Sequence, residues 1–464
     1  MFIRKNLLAV ALTTALAFTA SAIAQEEKPK PQTLFTNVNI FDGKSDTLAE
    51  GMSVLVEGNL IKKVANGDIE PDADATVIDG GGRTLMPGLI DSHTHFNVLI
   101  DGGLKELEAA RWDEIAAISA HAAEEWLMDG FTTVRDMGGM GNGLKRTIDK
   151  GYLKGPRIYP SGAYISQTSG HGDLLLGSQR DPQTSNLVRL GLTILADGPV
   201  AVRAAVRKNF AEGASQMKMM LGGGISSEKG PLVFAQYTDE EVRAAVSEAA
   251  TRDTYVATHI YHAKHIKRAL ELGVKSIEHG QFIDEPTAIL LKEKGAFISP
   301  FTAGFSPEAL KHPVYGKKGS PQNIKSLEFQ ALSKNFVKII NKIKPKLVFA
   351  IDVVFLTGDA SRKNRDFEKW AFANYFGNHQ ALMSMTSVPG ELAALTGKNN
   401  PYPGKLGVIE EGALADILIV DGNPLADITV IGANPKYFDA KPRGQGIETL
   451  DLIMKDGQIY KNTL

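Results

Sequence analysis

Two histidines one residue apart, His93 and His95, end the run Leu85-Met86-Pro87-Gly88-Leu89-Ile90-Asp91-Ser92-His93-Thr94-His95. Side chains alternate along a strand, so both imidazoles leave on the same side. If that side lines the mouth of a barrel, two nitrogen donors converge on one point, which is what a metal ion needs. A lone His-x-His pair is common at the edge of a core. Here four more donors follow, each at the end of a short apolar run: Lys218, His259, His279 and Asp352. In a (β/α)8 barrel the chemistry sits at the C-terminal ends of the strands, so residues that close strand-like runs point into one cup.

Histidine, histidine, lysine, histidine, histidine and aspartate, in that chain order, resemble the amidohydrolase superfamily with a binuclear metal centre. The resemblance covers nearly the whole chain after its first residues. It implies that His93, His95 and Asp352 hold the more buried ion, and that His259 and His279 hold the more exposed one. It further implies that Lys218 is carboxylated by carbon dioxide and bridges both. An ammonium has three donors and no lone pair, so lysine ligates only after such a conversion. By itself a lysine at a strand end is an ordinary snorkelling side chain. The sequence departs from the family at the eighth strand, where Gly-Thr-Asp is usual and Ala350-Ile351-Asp352 stands, with Thr357-Gly358-Asp359 further on. Asp352 directly terminates the apolar run Leu347 to Ile351. Asp359 is expected in a loop.

The chain has 464 residues, 43% hydrophobic and 22% charged, which allows a large core and argues against extended disorder. A net charge of −2 offers no electrostatic basis for binding nucleic acid or an anionic membrane. Arg4 and Lys5 precede an apolar run that meets Ser21-Ala22-Ile23-Ala24, the pattern of a cleaved bacterial signal peptide spanning 1–24. The expected location is the periplasm or the exterior. Gln25, not cysteine, follows the cut, so no lipid anchor is expected. The absence of cysteine fits export without disulfides and excludes cysteine ligands and nucleophiles.

A linker over 25–32 leads into short alternating segments from Thr33 to Ile78, read as an antiparallel sheet. The C-terminal runs Ala415–Val420 and Thr449–Tyr460 answer it, so a β-sandwich built from both chain ends is expected, from 33–84 and 401–464. Residues 85–400 alternate strand-like and helical runs, the α/β pattern of a TIM barrel. Its first strand is read from Leu85, its second as Phe131–Asp136, its third as Arg157–Gly162 and its seventh as Ala296–Pro300. Glu106 to Leu127 and Asp239 to Arg252 read as amphipathic helices, and the lysine-rich stretch 303–345 as a lid or an interface between copies of the chain.

Three further residues are candidates for meeting substrate. His171 sits in the flexible loop Ser169-Gly170-His171-Gly172-Asp173, and similar loops occur in dipeptidase-like members of the superfamily. Tyr237 stands before a helix capped by Thr238, where such relatives place a tyrosine against the substrate carboxylate. Tyr261 lies two residues past His259. Arg135 and Asp136 read as an ion pair beneath the site, and His262 and His265 as helix residues outside it.

The loop around His171 and the segment Gly390–Gly397 are similar to the Xaa-Pro dipeptidase-like and imidazolonepropionase-related branch, some of whose members cleave N-acyl amino acids, including ochratoxin-type amides. The expectation is therefore an exported hydrolase with two divalent ions, zinc by its nitrogen-rich donors. Asp352 serves as general base, and the substrate is a small amide or dipeptide. Two other readings stand beside it: a hydrolase of cyclic amides or lactones, and a non-catalytic periplasmic binding protein.

Overall fold

The structure is a computed structural model and describes residues 30–464 apart from 140 and 178. The expected signal segment, and the linker up to residue 29, lie outside the described residues. No helix among the described residues is long and apolar enough to cross a membrane.

Both chain ends enter one eight-stranded sheet. Its order is Gln458–Asn462, Leu450–Lys455, Ile417–Val420, Thr84–Pro87, Gln32–Ile40, Ala49–Glu57 and Leu60–Asn66, with Thr76–Asp79 also paired to Gln32–Ile40. The inward residues of alternate positions, among them Phe35, Val54, Ile417, Ile419 and Leu452, form its own core. The sheet is mixed, where an antiparallel one was expected. Thr76–Asp79 and Thr84–Pro87 both run parallel to Gln32–Ile40. They are two parts of one extended run, interrupted by the positive-φ glycines Gly81 and Gly82.

The apolar run before His93 serves two sheets and divides at Gly88, later than the expected border at Leu85. Gly88 N donates to Asp416 O of the end sheet, while Leu89 N donates to Gly130 O, both at 2.9 Å. From Leu89 to Thr94 the chain pairs in parallel with Phe131–Asp136, and that strand with Arg157–Pro160. A seven-stranded parallel sheet follows, ordered Thr193–Leu195, Tyr164–Ser166, Met217–Met220, Val256–His262, Ser276–Phe282, Phe297–Ser299 and Lys346–Leu347.

Backbone hydrogen bonds link the two parallel sheets on both flanks. Ser215 N donates to Pro160 O at 2.8 Å on one side. On the other, Ser92 N donates to Phe349 O at 2.9 Å and Asp352 N to His93 O at 3.0 Å. The expected third strand is thereby shared: Arg157–Pro160 stays in the small sheet, and after Gly162, at φ 72°, Tyr164–Ser166 joins the large one.

Helices pack outside the strands with two departures from expectation. The helix expected over Glu106 to Leu127 is two, Leu104–Ala109 and Trp112–Met128, because Ala110 and Arg111 are extended. Asp359 lies in the first turn of the helix Gly358–Phe376 and pairs with Lys363 at 2.9 Å, so it is not a loop residue. Residues 303–345 contain the helices Pro321–Leu332 and Phe336–Ile343.

A Cβ on Gly88 would stand 2.1 Å from Thr132 Oγ1 and 2.5 Å from Thr132 Cγ2. Overpacking of this kind costs about 1–3 kcal/mol. Gly88→Ala is expected to lower the denaturant midpoint by that amount, and adding Thr132→Ala to restore most of the loss. A Gly88→Ala protein as stable as the wild type would show that the hand-over between sheets does not need a glycine.

Candidate active site

The strand ends bring five of the six expected ligands into direct mutual range. His93 Nε2 lies 3.1 Å from His95 Nε2, 3.2 Å from Lys218 Nζ and 3.6 Å from Asp352 Oδ1. Asp352 Oδ1 is also 3.4 Å from His95 Nε2, and its Oδ2 is 3.7 Å from His279 Nδ1. His259 completes the ring by an edge-on contact: its centroid is 4.2 Å from that of His279. All six are buried or nearly so. His93, His279 and Asp352 offer ligand atoms within 4.8 Å of one another. His279 Nδ1 is a buried nitrogen without a hydrogen-bond partner. Such a concentration of lone pairs and orphaned nitrogen is costly unless something binds them, so the donor set fits divalent ions.

Other ring nitrogens face polar atoms behind the site, as those of metal-binding imidazoles usually do. His93 Nδ1 lies 3.0 Å from Glu278 Oε2. His259 Nε2 meets Gly223 O at 2.8 Å, and His95 Nδ1 lies 3.3 Å from Tyr164 Oη. Burial, the leading cause in each case, pulls His93 and His259 well below the ordinary imidazole range and His279 down to about 4. Lowered basicity favours the neutral ring, the form whose lone pair can bind a metal. Burial lowers Lys218 to about 8, so more of its side chain is free amine near neutrality than in an ordinary lysine. Burial by itself raises Asp352, but the facing His93, His95 and His279 outweigh it and hold the carboxyl below its usual range.

Glu278 was not singled out by its sequence, although it stands next to His279. It corrects the reading of Arg135, whose partner is Glu278 and not Asp136. Arg135 Nη2 donates to both Glu278 oxygens at 2.8 Å, and Ser276 Oγ donates to Oε1 at 2.6 Å. Asp136 instead accepts from Gly138 N at 3.1 Å. A second unforeseen carboxyl, Asp91, accepts from His93 N and Ile351 N, each at 3.1 Å. It thus ties the strand of His93 to the segment carrying Asp352. The signal for both was available: an acid inside an apolar strand is buried, and a buried acid has partners.

Around the ligands lies a cavity lined by His171, Tyr261, Phe301, Phe329 and Phe355, among others. His171 stacks 4.2 Å from His259, and its Nδ1 is 2.7 Å from Ser227 Oγ. Its ring sits against Gly224, where a Cβ would come within 2.1 Å. Tyr261 is 5.1 Å from both His259 and His279. Tyr237 is the exception among the expected contacts. At φ 63° it turns into the core of helices and strands, does not line the cavity, and leaves its hydroxyl unpartnered there. His265 bonds Val233 O at 3.1 Å outside the site, as expected of a helix residue. Of the segment 303–345, residues such as His312, Tyr315 and Phe329 wall the cavity.

A family model described as the amidohydrolase family matches residues 84–312. Ochratoxinase of Aspergillus niger is 31% identical over 363 residues, covering 73% of this chain and 70% of that protein. The crystal structure of a prolidase complexed with N-methylphosphonate-L-proline is 32% identical, with a TM-score of 0.81, covering 93% of this chain and all of the other. A Xaa-Pro dipeptidase with methionine bound in its active site is 29% identical, with a TM-score of 0.76 and 93% of this chain covered.

Glu278→Gln tests the support behind His93 without touching a ligand. It leaves Arg135 buried without its counter-ion, which destabilises by about 3–5 kcal/mol. Affinity for zinc, measured by titration of the folded variant, is expected to fall about ten- to a hundredfold. Unchanged affinity would mean that the Glu278 contact does not orient the imidazole.

Proposed function

The chain belongs to the amidohydrolase family, and we propose that it is an exported, metal-dependent hydrolase of an amide bond whose amine half is an amino acid with a free α-carboxylate. One observation carries the hydrolytic part: His93, His95, Lys218, His279 and Asp352 converge on one point with His259 edge-on beside them. The substrate class is supported by the prolidase and the Xaa-Pro dipeptidase, whose ligands, a phosphonate of L-proline and methionine, are amino-acid derivatives.

In this reading the two parallel sheets are halves of one (β/α)8 barrel and the end sheet is the core of an accessory β-domain. His93, His95 and Asp352 would hold one divalent ion and His259 and His279 a second, and zinc suits the nitrogen-rich donors. When bound, such ions activate water near neutral pH and polarise a carbonyl. Lys218 would serve both as a carbamate, formed when its unprotonated Nζ adds to the carbon of carbon dioxide and releases a proton to solvent. The depressed basicity of Lys218 keeps that amine available.

Asp352 accepts the proton of the attacking water and delivers it to the leaving amine nitrogen, the role of a general base that then acts as acid. The apolar walls, Phe301 and Phe329 among them, exclude bulk water from that exchange. His171 meets the carboxylate half. Of the three expected contacts, His171 and Tyr261 reach the cavity and Tyr237 does not. The leader over 1–24 directs the enzyme to the periplasm or beyond.

The experiment compares an N-acyl amino acid with its carboxamide. A hydrogen bond to a charged group is worth about 1.5–3 kcal/mol, so the acid should be cleaved with a kcat/KM roughly ten- to a hundredfold higher. Tyr237→Phe should leave that ratio intact and His171→Ala should collapse it. Equal efficiency for both compounds in the wild type contradicts carboxylate recognition and favours cyclic amides or lactones. No turnover of either by metal-loaded protein contradicts the hydrolase itself.

A further inference from the structure

The stretch 303–345 does more than wall the cavity. Its helix Pro321–Leu332 places Ser326, Phe329 and Gln330 along the cavity, while Lys325 reaches a turn that the chemistry above does not use. Lys325 Nζ donates to Gly224 O at 3.1 Å, to Ser227 O at 2.9 Å and to Lys229 O at 3.2 Å. An ammonium has three N–H donors, and here each has a carbonyl. Hydrogen bonds from a charged donor are about twice as strong as neutral ones. One side chain therefore gathers the carbonyls of the whole turn.

That turn is the backing of the His171 ring. Ser227 Oγ lies 2.7 Å from His171 Nδ1 and 2.9 Å from Lys229 O. Gly224 lies against the other side of the contact: a Cβ there would stand 2.1–2.4 Å from Cε1, Nε2 and Nδ1 of the ring. Lys229 Nζ pairs with Asp173 Oδ1 at 2.7 Å, which joins the turn to the loop of His171. The backbone of His171 is held separately, its N donating to Gln236 Oε1 at 3.1 Å. What the turn governs is thus the ring. A side chain confined by one hydrogen bond and one backbone contact keeps its orientation only while both stay in place.

We propose that Lys325 is a positioning residue, whose ammonium holds the 224–229 turn and, through Ser227 and Gly224, sets the ring of His171. Its consequence for catalysis rests on the reading in which His171 meets the substrate carboxylate. Its effect on the ring does not.

The test reads the ring directly, by nuclear magnetic resonance of zinc-loaded protein with isotope-labelled histidine. His171→Ala identifies the His171 signals among those of the ten histidines. Lys325→Met keeps an apolar stem and removes the ammonium, and it should shift the His171 signals while those of His93 and His95 stay in place. Ser227→Ala, which cuts the link alone, should shift the same signals. The chain has no cysteine, so Lys325→Cys treated with 2-bromoethylamine regains an ammonium of nearly lysine length there and should return the wild-type signals. In the comparison of acid with carboxamide, Lys325→Met should raise KM for the acid about three- to tenfold and leave kcat and the carboxamide little changed. Unmoved His171 signals in either substitution overturn the proposal, as do His93 and His95 signals that move as far as those of His171. Aminoethylation that fails to restore the ring overturns it too. A wild type without preference for the acid contradicts carboxylate recognition instead, and the ring signals still decide the role of Lys325.

Discussion

Arg135 is a guanidinium buried beneath the strand ends, and the site is built on how its charge is satisfied. Moving such an ion out of water costs several kcal/mol even after relaxation, and only close counter-charge and full hydrogen bonding offset it. Glu278 supplies the counter-charge in a two-oxygen contact. Ser92 O at 2.6 Å, Ser276 Oγ at 2.9 Å and Tyr255 Oη at 3.3 Å take the other donors. Those partners belong to the strands that carry His93, His259 and His279 or to residues at their edges. Satisfying one cation therefore fixes the spacing of three ligand-bearing strands, and the same Glu278 turns Nδ1 of His93 away from the cavity.

Part of the backbone strain lies at the same place. His279 at φ 75° and Asp352 at φ 49° occupy the left-handed region, which non-glycine residues seldom adopt. Each such residue costs on the order of 1–3 kcal/mol and persists where surrounding contacts over-determine it. Here those contacts are the hydrogen bond from Asp352 N to His93 O and the pairing of Ile260 with His279. The chain spends stability to aim an imidazole and a carboxylate at one point.

The candidate ligands were legible because each ends an apolar run, and a strand end is a place that sequence can mark. Asp352 was separable from Asp359 for the same reason: one closes such a run, and the other opens a helix. What sequence could not mark was direction. Tyr237 stood in a suitable place, but its left-handed backbone turns the side chain into the core, and that conformation is set by tertiary packing. Glu278 and Arg135 were visible as charges in apolar strands, yet their pairing spans a large separation in the chain. The division at Gly88 was hidden because both of its sheets demand the same apolar residues, and only the partners differ.

The account stands on the claim that six side chains from five segments of the chain form one centre for two divalent ions. Elemental analysis of the purified full-length protein, after equilibration with zinc and removal of loosely held metal, measures this directly. The account predicts two zinc ions per chain in the wild type and a loss of one or both in Lys218→Ala, with the fold intact by circular dichroism. Metal-free wild-type protein, or a Lys218→Ala variant that still retains two ions, would contradict it.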